Sequence, residues 1–307
     1  MTADDAPFPR ISTAVRGFRR SKPEWSAWLD TLPTLVPEFV ARWGLTDVRQ
    51  DLPSDMNLLL RATIAATGER VVAKFQPPDF ENEASTAALE VPIQGLVRLL
   101  DQERTAGVQL LAWVDGTPLP DAMDDLSLGR VVGAATKRLG ALPPREGMID
   151  LRRWCRELLE PPFNHPDWTD LIGENRARCL DLLASAPRDA WVHGDLHHGN
   201  LLVRPDGSTT AIDPKGLHGD PAFDTCTFVR NRIDLDLPEA ELAERLRRRI
   251  DGFAEGSGLE FARCAAWAAA GNVLSEIWDA ELDGGAGRGA RIGYLRQLSR
   301  IARDAGV

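Results

Sequence analysis

Lysine is scarce in this chain. Of 307 residues only four are Lys (Lys22, Lys74, Lys137 and Lys215), although Lys plus Arg total 36, so a Lys inside an apolar segment needs a reason. Cysteine is equally sparse. Cys155, Cys179, Cys226 and Cys264 lie far apart and form no C-x-x-C pair, so neither a zinc site nor a disulfide framework is signalled and reduced thiols are the simplest expectation. No apolar run approaches the roughly 20 residues that cross a bilayer, and the start, MTADDAPFPR, is acidic and Pro-bearing rather than a basic flank before an apolar stretch. A cytoplasmic chain with no membrane partner is therefore expected. Positive charge is also in deficit: 46 Asp plus Glu give a net charge of −10, which argues against a general nucleic-acid binder. Internal repeats are missing. The only loose segments are residues 1–23 and the Gly-rich stretch 284–291.

What is there suits an ordinary globular protein, 43% hydrophobic and 27% charged, long enough for about two domains. The texture changes near residue 113. Before it, PEWSAWLDTLPTLVPEFVARWGL has Trp25, Leu29, Leu32, Leu35, Val36 and Phe39 at roughly helical spacing. Then LLLRATI and RVVAKF read as a hairpin around ATGE, ENEASTAALEV as a helix, and VRLLD and GVQLLAWV as two more strands. Strands with a helix make a small α+β unit over residues 1–113. Residues 114–307 read as mainly helical, from LSLGRVVGAATKRLGAL to FARCAAWAAAGNVLSEIWDAEL, interrupted at 190–214 by strand, loop, strand, turn, strand.

That interruption carries the chemistry. RPDG between LLV and TTAI supplies hairpin turn residues. If Val203 pairs with Thr209, antiparallel counting puts Asn200 opposite Ile212 and beside Asp213, with cross-strand neighbours about 5 Å apart. Asp195 lies five residues upstream of Asn200. Two carboxylates and an amide are hard oxygen ligands of the kind that hold Mg²⁺ together with substrate phosphates. Phosphoryl transfer requires a metal to bridge phosphates and a carboxylate to receive the hydroxyl proton. The order D-x-x-x-x-N with an Asp on the following strand matches a kinase catalytic loop and metal-binding Asp. His193-Gly194-Asp195 replaces H-R-D, and Ile212-Asp213-Pro214 replaces D-F-G, so this is not a protein-kinase loop.

VHGDLHHGNLLV followed by AIDPKGLHGDPAFD resembles the aminoglycoside phosphotransferase branch of the kinase-like fold, specifically the aminoglycoside/hydroxyurea antibiotic resistance kinases. The likeness extends to WLDTLPTLVPEFVARWGL, LLAWVDGTPL and WAAAGNVLSEIW. It implies a two-lobed α+β kinase-like fold: a small, β-rich nucleotide-binding lobe over 1–113 and a larger, mainly helical catalytic and acceptor-binding lobe over 114–307. It further implies Asp195 as catalytic base, Asn200 and Asp213 as Mg²⁺ ligands, and Lys74 as the ligand of the ATP or GTP phosphates, held by a helix Glu. Glu83 is the first candidate and Glu81 the second. On RVVAKF, Val72 and Lys74 share the face opposite Val71, Ala73 and Phe75. The phosphate-covering loop falls at DLPSDMNLL, which has no glycine, leaving the amides of Ser54, Asp55 and Met56 to cradle phosphates.

Each residue has a plainer reading. His193, His197 and His198 could be metal ligands of a hydrolase, but the hairpin explains Asn200 and Asp213 without them, and loop orientation by hydrogen bonding is the better expectation. Lys74 could be a snorkelling strand lysine, and Lys215 is either near the γ-phosphate or solvated. Asp220 before Pro221 reads as an N-cap, a structural task, and Asp224 is placed with it. Glu276, Asp279, Glu281 and Asp283 carry four acids and no base; a solvated helix end is the default, while Glu276 and Asp279 could hold a cationic acceptor. The expected activity is transfer of a γ-phosphate to a small-molecule hydroxyl, an aminoglycoside-type antibiotic first. The rivals are a metabolic small-molecule kinase and a nucleotide-binding pseudokinase regulator.

Overall fold

Phe39 and Phe75 meet edge to face at 6.3 Å, where the first helix crosses the first sheet of the computed structural model. Described are residues 23–52, 54, 57–120, 122–161, 168–283 and 289–307. Asp55 and Met56 of the expected phosphate loop, and most of both loose segments, lie outside them. The chain divides into two compact units, Met1–Ile93 with Val97–Val114, and Gln94–Leu96 with Asp115–Val307.

In the first unit, helix α1 (Pro23–Arg42) precedes strands β1 (Leu45–Arg49), β2 (Leu58–Ile64) and β3 (Arg70–Phe75), helix α2 (Phe80–Leu89), and strands β4 (Leu99–Glu103) and β5 (Val108–Ala112). The sheet order is β1-β2-β3-β5-β4, antiparallel throughout. Trp28, Leu32, Val36 and Phe39 repeat at helical spacing and pack on Leu58, Leu60, Val71, Ala73, Phe75 and Leu110. Burial of such side chains contributes about 1.5–3 kcal/mol each. The buried Trp is thus Trp28; the side chain of Trp25 lies outside the described residues. Asp79 caps α2 by accepting from the Asn82 N–H at 2.9 Å. Lys74 sits opposite Leu59 and Gln109, and the buried Gln109 donates to Thr86 of α2 at 2.6 Å. The lysine face of β3 is therefore the face toward α2.

The second unit comprises β6 (Thr117–Pro118), α3 (Asp125–Leu139), β7 (Ile149–Asp150), two short helices α4 (Leu151–Trp154) and α5 (Arg156–Leu159), α6 (Thr169–Ala184), strands β8 (Ala190–Val192), β9 (Leu201–Val203), β10 (Thr209–Ala211) and β11 (Leu217–Gly219), a 3₁₀ turn (Pro221–Asp224), and helices α7 (Thr225–Arg230), α8 (Glu239–Ser257), α9 (Phe261–Asp283) and α10 (Gly289–Asp304). Helices α3 and α8 cross closely because Gly133 faces the α8 backbone, where a Cβ would meet Phe253 O at 2.3 Å. Two small sheets, β10-β9-β6 and β7-β11-β8, flank the loop between β8 and β9. Gln94–Leu96 joins this unit through the Ala211 N–H, which donates to Gly95 O at 2.8 Å, and a parallel bridge between Leu96 and Ala211. All four cysteines are free and buried.

Candidate active site

The hairpin register is the expected one. Thr209 pairs with Val203, and the Ile212 N–H donates to Asn200 O at 2.9 Å, which seats Asn200 beside Asp213. Asn200 commits its Nδ2 to the backbone O of Asp195 at 3.0 Å and to Asp195 Oδ2 at 3.4 Å, so the amide oxygen is the atom left for a cation. Asp213 has φ +56°. That left-handed conformation suits Asp and Asn better than most side chains, and it breaks the extended backbone just past β10. Three groups predicted from spacing are thus gathered on one loop and one hairpin.

Histidine holds this loop together. Fully buried His193 accepts the Asp195 N–H at Nδ1 (3.2 Å), so its proton sits on Nε2, 3.0 Å from Ile212 O. One imidazole therefore ties the Asp195 backbone to Ile212, the residue before Asp213. Burial pulls its pKa down to about 4, against the opposing pull of Asp195 and Asp213, so the ring is neutral at ordinary pH. His197 accepts the Gly199 N–H at 3.0 Å and is also pulled down, first by burial. His198 stacks on Phe228 at 5.9 Å. The loop-orienting role expected of these residues is geometrically explicit for His193 and His197.

Because the His193 pKa is depressed, its contribution to stability is present above about pH 6.5 and is lost as pH falls through about 4. The sign for Asp224 is opposite. Burial raises its carboxyl to about 7 despite hydrogen bonds from the Gly194 and His193 amides and Thr136, so its contribution is lost as pH rises through 7. Comparing wild type with His193→Gln in urea melts at pH 7.5 and 4.5 isolates the histidine. The variant is expected to lose less stability on acidification, by an amount on the order of 3 kcal/mol; equal losses in both proteins would refute the assignment.

Asp224 is the residue that spacing undervalued. Its Oδ1 accepts from Gly194 N at 2.8 Å and its Oδ2 from His193 N at 3.4 Å and from Thr136 at 3.3 Å. It braces the loop at residues 193–195. An acid within the apolar run around Phe223, Cys226 and Phe228 was the available signal. Gly194 explains the departure from H-R-D: at φ +80° a Cβ would meet Leu217 Cδ1 at 2.6 Å, so no larger residue fits. Asp220 is the N-cap expected, accepting from Ala222 N at 3.0 Å, and it also accepts from Arg263 at 2.6 Å and from Trp267. The Lys215 backbone N–H donates to His193 O at 2.8 Å.

In the first unit Lys74 is 5% exposed, which does not suit a snorkelling lysine. The two candidate partners of Lys74 differ in exposure: Glu83 is exposed, whereas Glu81 is half-buried, one turn before buried Ala84 and Ser85. Helical spacing alone could not decide between them. Ser54 is half-buried and its Oγ accepts the Asn57 N–H at 3.1 Å. Glu276 and Asp279 lie one turn apart on α9, and their run is not without a base in space: Arg291 of α10 donates to Glu276 at 3.3 Å and to Asp279 at 2.7 Å.

Among the described residues no group of three or more His, Cys, Asp or Glu side chains could hold a metal ion. One carboxylate and one amide oxygen suit Mg²⁺ only if phosphates complete its shell, and Asp213 and Asn200 would offer that donor set. No described helix is long and apolar enough to cross a membrane.

Comparison with known proteins gives a consistent picture. The profile of the aminoglycoside/hydroxyurea antibiotic resistance kinase family matches residues 42–284. Streptomycin 6-kinase of Streptomyces glaucescens is 30% identical over 297 residues, covering 92% of either chain. Hydroxyurea phosphotransferase of Kitasatospora aureofaciens is 30% identical over 263 residues, covering 83% of this chain and 75% of that one. A thermostable mutant of aminoglycoside phosphotransferase APH(4)-Ia, solved as a ternary complex with AMP-PNP and hygromycin B, superposes with TM-score 0.58 at 13% identity, covering 88% and 99% of the two chains. The last comparison speaks to the fold alone.

Proposed function

We propose a reaction on the premise that this chain belongs to the aminoglycoside/hydroxyurea antibiotic resistance kinase family. It is a phosphotransferase that phosphorylates a hydroxyl group of an antibiotic. The finer reading is that ATP is the donor, Mg²⁺ the metal, and a cationic, streptomycin-type aminoglycoside the acceptor. The observation that carries the chemistry is the convergence of Asp195, Asn200 and Asp213 through the Asn200–Ile212 pairing.

In this reading Asp195 accepts a hydrogen bond from the acceptor hydroxyl and receives its proton as the oxygen attacks the γ-phosphorus and the bond from that phosphorus to the departing ADP oxygen breaks. His193 keeps the Asp195 backbone in register with Asp213, and Asp224 fixes the loop beneath it. Asn200 and Asp213 would hold Mg²⁺, which would supply positive charge to offset that of the nucleotide phosphates. Lys74 would contribute a compact ammonium to the phosphates, and Ser54 lies in the loop that would cover them. Glu276 and Asp279 would hold ammonium or guanidinium groups of the acceptor, in competition with Arg291. The net charge of −10 favours the approach of a polycation.

Magnesium-dependent consumption of ATP and of GTP over aminoglycoside, peptide-antibiotic, nucleoside-antibiotic and hydroxyurea panels tests the reading. Phosphorylated streptomycin is expected. Product from a metabolite alone would favour the metabolic rival, and nucleotide binding without turnover would favour the regulator.

A further inference from the structure

We infer that His197 is a positioning residue for Asp195, acting through its Nε2–H; the inference rests on the phosphoryl-transfer reading above. The ring is oriented at Nδ1 and turns Nε2 toward the base. Nδ1 accepts the Gly199 N–H at 3.0 Å, so the neutral imidazole carries its proton on Nε2. Nε2 lies 3.8 Å from Asp195 Oδ1. That separation is long for a hydrogen bond, but a small tilt of the ring closes it, and active-site bonds commonly tighten only when substrate is bound.

Gly199 lets the ring lie there. A Cβ at that position would meet His197 Cε1 at 3.0 Å and Nδ1 at 3.4 Å, pushing the imidazole off its acceptor geometry. The other oxygen of the base, Asp195 Oδ2, already faces Asn200 Nδ2 at 3.4 Å. With Asn200 at one oxygen and the His197 N–H brought onto the other, the carboxylate would no longer rotate freely about its Cβ–Cγ bond. A lone pair stays directed at the place where the acceptor hydroxyl gives up its proton, which is where misorientation is costly. His197 thus does for the side chain of Asp195 what His193 does for its backbone.

Two isosteric substitutions separate this role from a purely structural one. His197→Asn places an oxygen near the former Nδ1, keeping an acceptor for Gly199 while removing the donor toward Asp195. His197→Gln places an NH₂ near the former Nε2, keeping the donor and losing the acceptor. Steady-state kinetics are read with streptomycin and Mg-ATP, and also as Mg-dependent ATP hydrolysis with water as acceptor. The Asn variant is expected to lose about 10- to 100-fold in kcat, with KM for ATP within about twofold of wild type, and the Gln variant to recover most of kcat. The inference is overturned if Gln is as slow as Asn, if the order is reversed, or if both match wild type. If streptomycin is not turned over but hydrolysis ranks the variants in the expected order, the acceptor reading fails and the role of His197 stands. If wild type does neither, phosphoryl transfer and this inference fall together.

Discussion

Asp195→Ala is expected to lower kcat by about 10³- to 10⁴-fold while leaving the fold intact. The first half of that expectation follows from the reaction. A hydroxyl attacking a phosphoryl group must shed its proton, and Asp195 is the carboxylate proposed to receive it, with Asn200 Nδ2 3.4 Å from its Oδ2. The second half follows from burial. The Asp195 side chain is 24% exposed, and the loop is held chiefly by the backbone amides of residues 193 to 195 on Asp224 and His193, none of which the substitution removes. KM for ATP is expected to change little, since in the proposed reaction Asp195 would touch the acceptor and not the nucleotide. A variant with unchanged kcat, measured with an acceptor that wild type phosphorylates, would remove Asp195 from the mechanism.

The second large effect is expected at Asp213, and here the choice of substitution matters. At φ +56° alanine would add backbone strain of about 1–2 kcal/mol, so Asp213→Ala would mix a folding defect with a chemical one. Asn tolerates the same conformation and is nearly isosteric. Asp213→Asn therefore keeps the hairpin, and its thermal midpoint is expected within a few degrees of wild type. In the proposed site it would remove the formal charge that Asp213 offers to Mg²⁺, and kcat is expected to fall by about a thousandfold, comparable to losing a main electrostatic stabiliser of the transition state. Raising Mg²⁺ should recover part of the rate, because a weakened site is titratable. Full activity in Asp213→Asn at low Mg²⁺ would mean that another residue binds the metal.

The catalytic hairpin was legible because its geometry is local. Turn residues at Pro205 to Gly207 fix the register, and register fixes which side chains are neighbours. The face of Lys74 was legible for the same reason, by alternation along β3. What escaped depends on distance in sequence. Asp224 acts on amides about thirty residues earlier, and no spacing rule reports that. Glu81 and Glu83 are both first-turn acids of α2, and their different exposure is set by the sheet beneath. β1 escaped because LTDVR has only Leu45 buried and exists as a strand through its pairing with β2. Arg291, which meets Glu276 and Asp279 in space, begins a helix that follows the Gly-rich stretch, so a run of acids read alone looked unpaired.

The central claim is that the Asp195 site moves a phosphoryl group from ATP to a hydroxyl of an antibiotic. Incubating streptomycin with Mg-ATP and wild-type protein, then resolving the products by mass spectrometry and ³¹P NMR, tests it most directly. One phosphate ester per ADP formed is predicted, with Asp195→Ala yielding neither above background. ADP and free phosphate accumulating at the wild-type rate with no phosphorylated antibiotic, or the ester forming equally fast with Asp195→Ala, would contradict it.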